Sequence, residues 1–238
     1  MLFNGKGKIH NTLYVNKEGK YIMNGLHVSK LEYGNSFDDL FQTKFLIITK
    51  NEQTDISNEI GKFFRKYNIM TYSSPDDNIN IDTLYEIMAY AALYKSDENA
   101  VDERKATDIT ISVVTMEKPL ELFNTLKDNG IETEMPYDGI YYIKNYMLFP
   151  TQIIVTDELS AEKHVWIKSL SNKMDIAGMK NLLDTSIALK GEYEKERAKL
   201  LIETVLNANT DLINEIKENQ EVSRLLMQFS EETAKKYL

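Results

Sequence analysis

The stretch from residue 68 to residue 96, NIMTYSSPDDNINIDTLYEIMAYAALYKS, leaves little freedom in how its part of the chain folds. Over 68–73, Ile69, Met70 and Tyr72 stand against Thr71 and Ser73, and the β-branched and aromatic content reads as a strand. Ser74, Pro75, Asp76 and Asp77 end it. Proline lacks the ladder donor and pushes the residue before it away from helical geometry, and adjacent aspartates favour a turn. A helix follows, in which Leu84, Ile87, Met88, Ala91 and Ala92 recur at three- and four-residue spacing. Asp82 is its candidate cap, and Lys95 suits the negative end of its dipole. The unit is strand, tight turn, buried helix.

Similar patterns surround it. Upstream, Phe45 to Ile48 is a nearly continuous apolar run, the signature of a strand buried on both faces. Asp55 or Ser57 can cap a helix whose stripe is Ile60, Phe63, Phe64 and Tyr67. Downstream, residues 108–114 alternate as a strand, and 120–129 form an amphipathic helix carrying Leu122, Phe123 and Leu126, ended by Gly130. A strand follows an Asp-Gly turn at residues 138 and 139, with Tyr141 and Tyr142 on opposite faces. Another spans MLFPTQIIVT, with Pro150 at a bend or an edge. From Ser160 onward strand signals disappear. Ser160 can cap a helix with Val165, Trp166 and Leu170, and further helices are expected over 174–189, 192–206, 211–218 and 221–237, with Asn207 to Asn209 as a joint. At the other end, LYV and YIM flank NKEGK, which reads as a hairpin of 9–15 with 20–28.

The expected fold is therefore α/β: a mixed β-sheet flanked by helices over 31–158, an N-terminal β-hairpin over 1–30 and a C-terminal helical region over 159–238. A chain of 238 residues with 42% hydrophobic content can bury one good core and a smaller appendage. Its formal charge of −9 argues against broad phosphate binding, which needs a basic surface. Lys62, Arg65 and Lys66 form one short basic cluster, read as a solvated helix face. With no cysteine, disulfides, thiolate chemistry and cysteine zinc sites are excluded, which fits a reducing interior. No apolar run approaches the roughly 20 residues of a membrane span, and the first residues lack an apolar signal core, so a cytoplasmic location is expected. His10 and His27 are too few to hold a metal, and His164 beside the lone tryptophan has no nucleophile near it, so packing or surface roles are expected for all three.

The runs FLIITK (45–50), NEIGKFFRKYNI (58–69), YSSPDD (72–77) and IDTLYEIMAYAALYK (81–95) resemble a group of uncharacterised bacterial proteins related to PD-(D/E)XK nucleases. GIYYIKN (139–145) and LFPTQIIVTDEL (148–159) resemble the same group, and the likeness spans roughly residues 31–170. In such enzymes an aspartate on one strand and an acid-x-lysine set on the next hold a divalent metal and position the attacking water. The resemblance places Lys44 at the aspartate's position and Thr71 and Ser73 at the acid-x-lysine positions. A lysine repels a cation, and two hydroxyls replace neither a carboxylate nor an ammonium. Glu86 also stands where the family's helix usually carries a lysine.

The resemblance thus implies a nuclease-like scaffold without catalysis, cofactor or metal, acting through a protein partner, for example as an inhibitor or decoy of a nucleic-acid-processing complex in phage–host conflict. The binding candidates are Tyr72, Asp76, Asp77, Tyr85 and Glu86. The short apolar stripes of the C-terminal helices also need covering, first by the chain's own core and second by a homodimer. The alternatives are a metal-dependent nuclease whose site has migrated to Asp76, Asp77 and Asp82, and a module that binds nucleic acid directly.

Overall fold

The structure, a computed structural model, describes residues 20–23, 26–29 and 45–49 as backbone, and 58–73, 79–96, 104–145 and 148–238 with side chains. They fall into two compact units, one within Asn4–Leu159 and one within Ser160–Leu238.

The first unit is built on a mixed six-stranded sheet, ordered β3 (Phe45–Thr49), β4 (Tyr67–Tyr72), β5 (Ile109–Thr115), β8 (Thr151–Val155), β7 (Ile140–Ile143) and β6 (Thr133–Tyr137). The central strands β4, β5 and β8 run parallel, and the flanking strands β3, β7 and β6 are antiparallel to their neighbours. Every residue of β5 and β8 is buried, as befits central strands. Two helices, α1 (Ile81–Lys95) and α2 (Leu120–Asp128), cover one face. There Leu84, Ile87, Tyr90, Ala91, Leu122 and Leu126 join Ile69, Ile111, Val113, Ile153 and Val155 in one core. Burial of this kind stabilises by roughly 25 cal/mol per Å² of apolar surface.

The strand and helix expected over 68–96 form β4 and α1, the turn at 74–77 lying outside the described residues, but the cap is Asn80. Its Oδ1 accepts from the backbone N–H of Asp82 (3.0 Å) and Thr83 (3.2 Å), while Thr83 Oγ1 accepts from the Asn80 N–H (3.4 Å). Asp82 sits in the first turn, where its charge suits the dipole. Ala92 is exposed rather than buried, its expected core position being taken by Tyr90 and Tyr94.

Two further expectations are corrected. The helix expected across 58–69 is one 3₁₀ turn, Gly61–Phe63, after which Phe64 is extended. Side chains hold the chain out of the helix: Asn58 Oδ1 accepts from the Gly61 N–H (2.7 Å), and Asn68 clamps Arg65 by accepting from its N–H (2.8 Å) and donating to its carbonyl (2.7 Å). The hairpin pairs β1 (Lys20–Met23) with β2 (Leu26–Ser29), so the strand expected over 20–28 folds back on itself. Asn24 and Gly25 between them form a stronger hairpin signal than NKEGK; residues 9–15 lie outside the described residues. Pro150 immediately precedes a central strand, where its carbonyl accepts from the Ile111 N–H (2.9 Å) and its missing donor breaks no ladder bond.

The second unit is helical: α3 (Val165–Lys168), α4 (Ile176–Ile187), α5 (Glu192–Ala208), α6 (Thr210–Glu218), α7 (Gln220–Phe229) and α8 (Glu231–Tyr237). Trp166, Leu182, Leu183, Ile202, Leu206, Ile216 and Leu226 make its core. The apolar stripe of α7, Val222, Leu225 and Leu226, lies inside that core, so a homodimer through these helices would have to use other residues. Ser160 does not cap α3, which is a single turn with no side-chain cap. The helix expected over 221–237 is two helices. Ser230 breaks it, because its Oγ accepts from the Thr233 N–H (3.2 Å) and starts α8.

Candidate functional site

In open α/β sheets, ligands bind outside the carboxyl ends of the parallel strands. Here that end is formed by Tyr72 and Ser73 after β4, Thr115 and Met116 after β5, and Thr156 and Asp157 after β8. The ladder continues past the strands: the Ser73 N–H donates to the Val114 carbonyl (2.8 Å), and the Asp157 N–H donates to the Met116 carbonyl (3.1 Å).

By alternation along β4, Ile69, Thr71 and Ser73 point to the face covered by α1 and α2, while Asn68, Met70 and Tyr72 point to the other. Thr71 and Ser73 are buried, and Tyr72 is 40% exposed. Tyr72 ionises above its ordinary value of 10.0, first because burial disfavours the phenolate and second because the Asp157 carboxylate repels it. Replacing Asp157 by asparagine removes only the second cause. NMR titration of the Tyr72 ring should then show a downward shift that still stops above the ordinary tyrosine value.

On the outer face of α1, Tyr85 is 50% exposed and Glu86 half-buried. Lys44, Asp76 and Asp77 lie outside the described residues. Among the described residues, no three histidine, aspartate or glutamate side chains are close enough to hold a metal ion. Each residue of the basic cluster has its own neighbour: Lys62 donates to the Tyr137 hydroxyl (3.3 Å), Arg65 to the Thr107 carbonyl, and Lys66 lies 5.1 Å from the Tyr67 ring centre. Lys62 sits in the 3₁₀ turn and Arg65 and Lys66 in the irregular segment after it, so the three do not share the expected helix face. His164 is buried, consistent with packing.

Two groupings went unread in the sequence. One is a polar row on the sheet face opposite α1 and α2. Gln152 Nε2 donates to Ser112 Oγ (2.8 Å) and to the Ile60 carbonyl (3.3 Å), tying the 3₁₀ turn to the sheet, and Thr110 Oγ1 donates to Asn68 Oδ1. Gln152 Oε1 is buried with no protein partner. The other lies at the carboxyl end, where Tyr141 donates to the Glu158 carboxylate and accepts from Lys118 Nζ (3.0 Å). The Lys118 ammonium also lies 4.4 Å from the Tyr141 ring centre and 4.9 Å from that of Phe123. Burial, the Glu158 hydrogen bond and the Glu158 charge raise the Tyr141 pKa, outweighing Lys118. Pairing a Tyr with an acid and a lysine needs the strand register, which no sequence pattern supplies.

The fold and these groupings define an α/β protein with a mixed sheet, a polar row on one face and a fixed lysine at the carboxyl end. Among the described residues, no helix is long and apolar enough to cross a membrane. No protein-family model, curated protein or solved structure matches the chain.

Proposed function

We propose that the α/β unit is a PD-(D/E)XK-like scaffold that performs no phosphodiester hydrolysis and acts by binding a protein. Its target on this reading is a nucleic-acid-processing complex that it inhibits or decoys. The observation that supports it most is the burial of Thr71 and Ser73, where the resemblance calls for an acid and a lysine reaching a metal. Two hydroxyls inside the sheet face offer a divalent cation neither charge nor a full set of hard ligands. Nearly all of the net charge of −9 falls within Asn4–Leu159, which suits a decoy for a basic, nucleic-acid-handling surface.

The test has two arms. Purified protein with Mg²⁺ or Mn²⁺ and single- or double-stranded DNA or RNA should show no cleavage above background. Cleavage that disappears on replacing Asp76 and Asp77 by asparagine would overturn the reading in favour of a migrated metal site. Affinity purification at moderate salt should retain one near-stoichiometric protein. Nuclease-sensitive nucleic acid in its place would make the chain a nucleic-acid-binding module.

A further inference from the structure

Leu120, Phe123, Asn124 and Lys127 stand three and four residues apart, so they share one side of α2, while Leu122 and Leu126 join the core from another. That shared side borders a cavity of about 710 Å³, with the segment 130–133 leading into β6 across from it. Small-molecule sites fall within roughly 300–1,000 Å³. Part of the lining is apolar: Leu120 is 65% exposed, and Phe123 and Ile131 line the same space. Its charged side chains are Lys118, Lys127 and Glu132, which leaves one net positive charge. Among the described residues neither lysine is ion-paired to a carboxylate, and the Glu132 carboxylate is not ion-paired either. One negative charge on a ligand balances this lining, whereas a dianion meets repulsion from Glu132.

The two lysines differ. Lys127 is exposed on α2. Lys118 lies in the link from β5 to α2, at the carboxyl end of a central parallel strand, where α/β folds place their ligands. Thr115 Oγ1 braces that link by donating to the Glu117 carbonyl (3.1 Å). The Tyr141 hydroxyl gives its proton to Glu158, so it can only accept from Lys118 Nζ (3.0 Å), and this holds the ammonium in place with two N–H groups to spare. A side chain fixed before binding loses less entropy when it takes an anion. The ammonium also stands 4.9 Å from the Phe123 ring centre, so an acid group on Lys118 and an apolar group beside Phe123 belong to one ligand with a short spacer.

We propose that this cavity binds a small amphipathic monocarboxylate. Its carboxylate accepts from the Lys118 ammonium, and its apolar body covers Leu120, Phe123 and Ile131. Such a site is a function of the α/β unit beyond protein binding and does not depend on it.

The probe is hydrocinnamate, a phenyl ring joined to a carboxylate by a short spacer, titrated into the full ¹⁵N-labelled chain and followed by ¹H–¹⁵N NMR. Saturable shifts are expected at amides within 118–133. The uncharged amide, hydrocinnamamide, lacks the charge, and inorganic phosphate lacks the apolar body, so each should bind at least about tenfold more weakly. Lys118→Gln should weaken hydrocinnamate at least about tenfold, and Lys127→Gln about threefold at most. Shifts that fail to saturate or that fall elsewhere overturn the site. Phosphate or the amide binding as tightly as hydrocinnamate overturns the monocarboxylate, and equal losses from the two lysine variants overturn Lys118 as its anchor. The comparison of acid with amide uses the unaltered chain, so it decides the role of charge even where Lys118→Gln disturbs folding.

Discussion

Replacing Gly139 by alanine is expected to lower the stability of the α/β unit by about 3 kcal/mol, a large part of the roughly 5–15 kcal/mol that holds a domain together. Gly139 has φ +71°, and a Cβ there would stand 2.6 Å from the Val155 carbonyl oxygen and 2.8 Å from the Leu159 nitrogen. Both obstacles are backbone. The neighbouring bond, from the Val155 N–H to the Gly139 carbonyl (2.7 Å), joins the turn before β7 to the end of β8, so a shift that relieves the clash lengthens it. Gly130 provides the comparison: its φ is +70°, but a Cβ there meets nothing within 4 Å. Gly130→Ala should cost only the left-handed backbone penalty, about 1 kcal/mol. Urea unfolding followed by far-UV circular dichroism checks both. With a slope of about 1–3 kcal/mol per molar, the Gly139 midpoint should fall by about 1–3 M and the Gly130 midpoint by about a third of that. Equal falls would mean that steric crowding against β8 contributes nothing.

Elements whose own residues carry their periodicity were legible. The strands at 45–49, 67–72, 109–115 and 151–155 and the helices α1 and α2 fall where apolar spacing places them, and the mixed sheet follows from their order. Capping hydrogen bonds were less legible. Asp82 resembles a cap by residue type, yet Asn80 holds that role because its side chain reaches two N–H groups. Likewise, Phe63, Phe64 and Tyr67 are spaced like a helical stripe. Asn58 and Asn68 bond to backbone nearby, and Tyr67 gains more by pairing in β4 with Thr49 and Ile109. Ser230 interrupts a helical pattern by the same local competition.

The candidate site was legible only in part. Tyr72 and Tyr85 are exposed aromatics, as a docking role needs, but nothing in their sequence neighbourhood pairs them with a ligand. What brings groups together across distance is register. Ser112 meets Gln152 because β5 and β8 are parallel neighbours, and Lys118 meets Glu158 through Tyr141 because β7 lies beside β8. These partners are separated by dozens of residues, and a one-residue slip in pairing would turn each to the opposite face.

In the helical unit the largest expected effect belongs to Asn209, at the joint between α5 and α6. Its Oδ1 accepts from the Met174 N–H (2.9 Å), and its Nδ2 donates to the carbonyls of Ser171 (2.8 Å) and Val205 (2.8 Å). One buried amide thus fastens the segment before α4 to the end of α5. Asn209→Ala takes the acceptor from the Met174 N–H and a donor from each of the Ser171 and Val205 carbonyls, and at about 1–3 kcal/mol for a buried group that loses its partner a loss of about 3 kcal/mol is expected. Asn209→Asp tests whether the donors matter as much as the shape. It keeps an acceptor for Met174 but sets a carboxylate against two carbonyl oxygens, so it should cost at least as much as alanine at neutral pH. Asn207 supplies the contrast, since its side chain is exposed and accepts only from the Tyr237 hydroxyl (2.9 Å), and Asn207→Ala should cost under about 1 kcal/mol. The sole tryptophan, Trp166, is buried in this unit's core, so its fluorescence during urea unfolding reports on the helical unit directly. A midpoint that falls with Asn209→Ala and holds with Asn207→Ala assigns the stabilisation to the buried clamp; equal shifts would place it in the helix ends themselves.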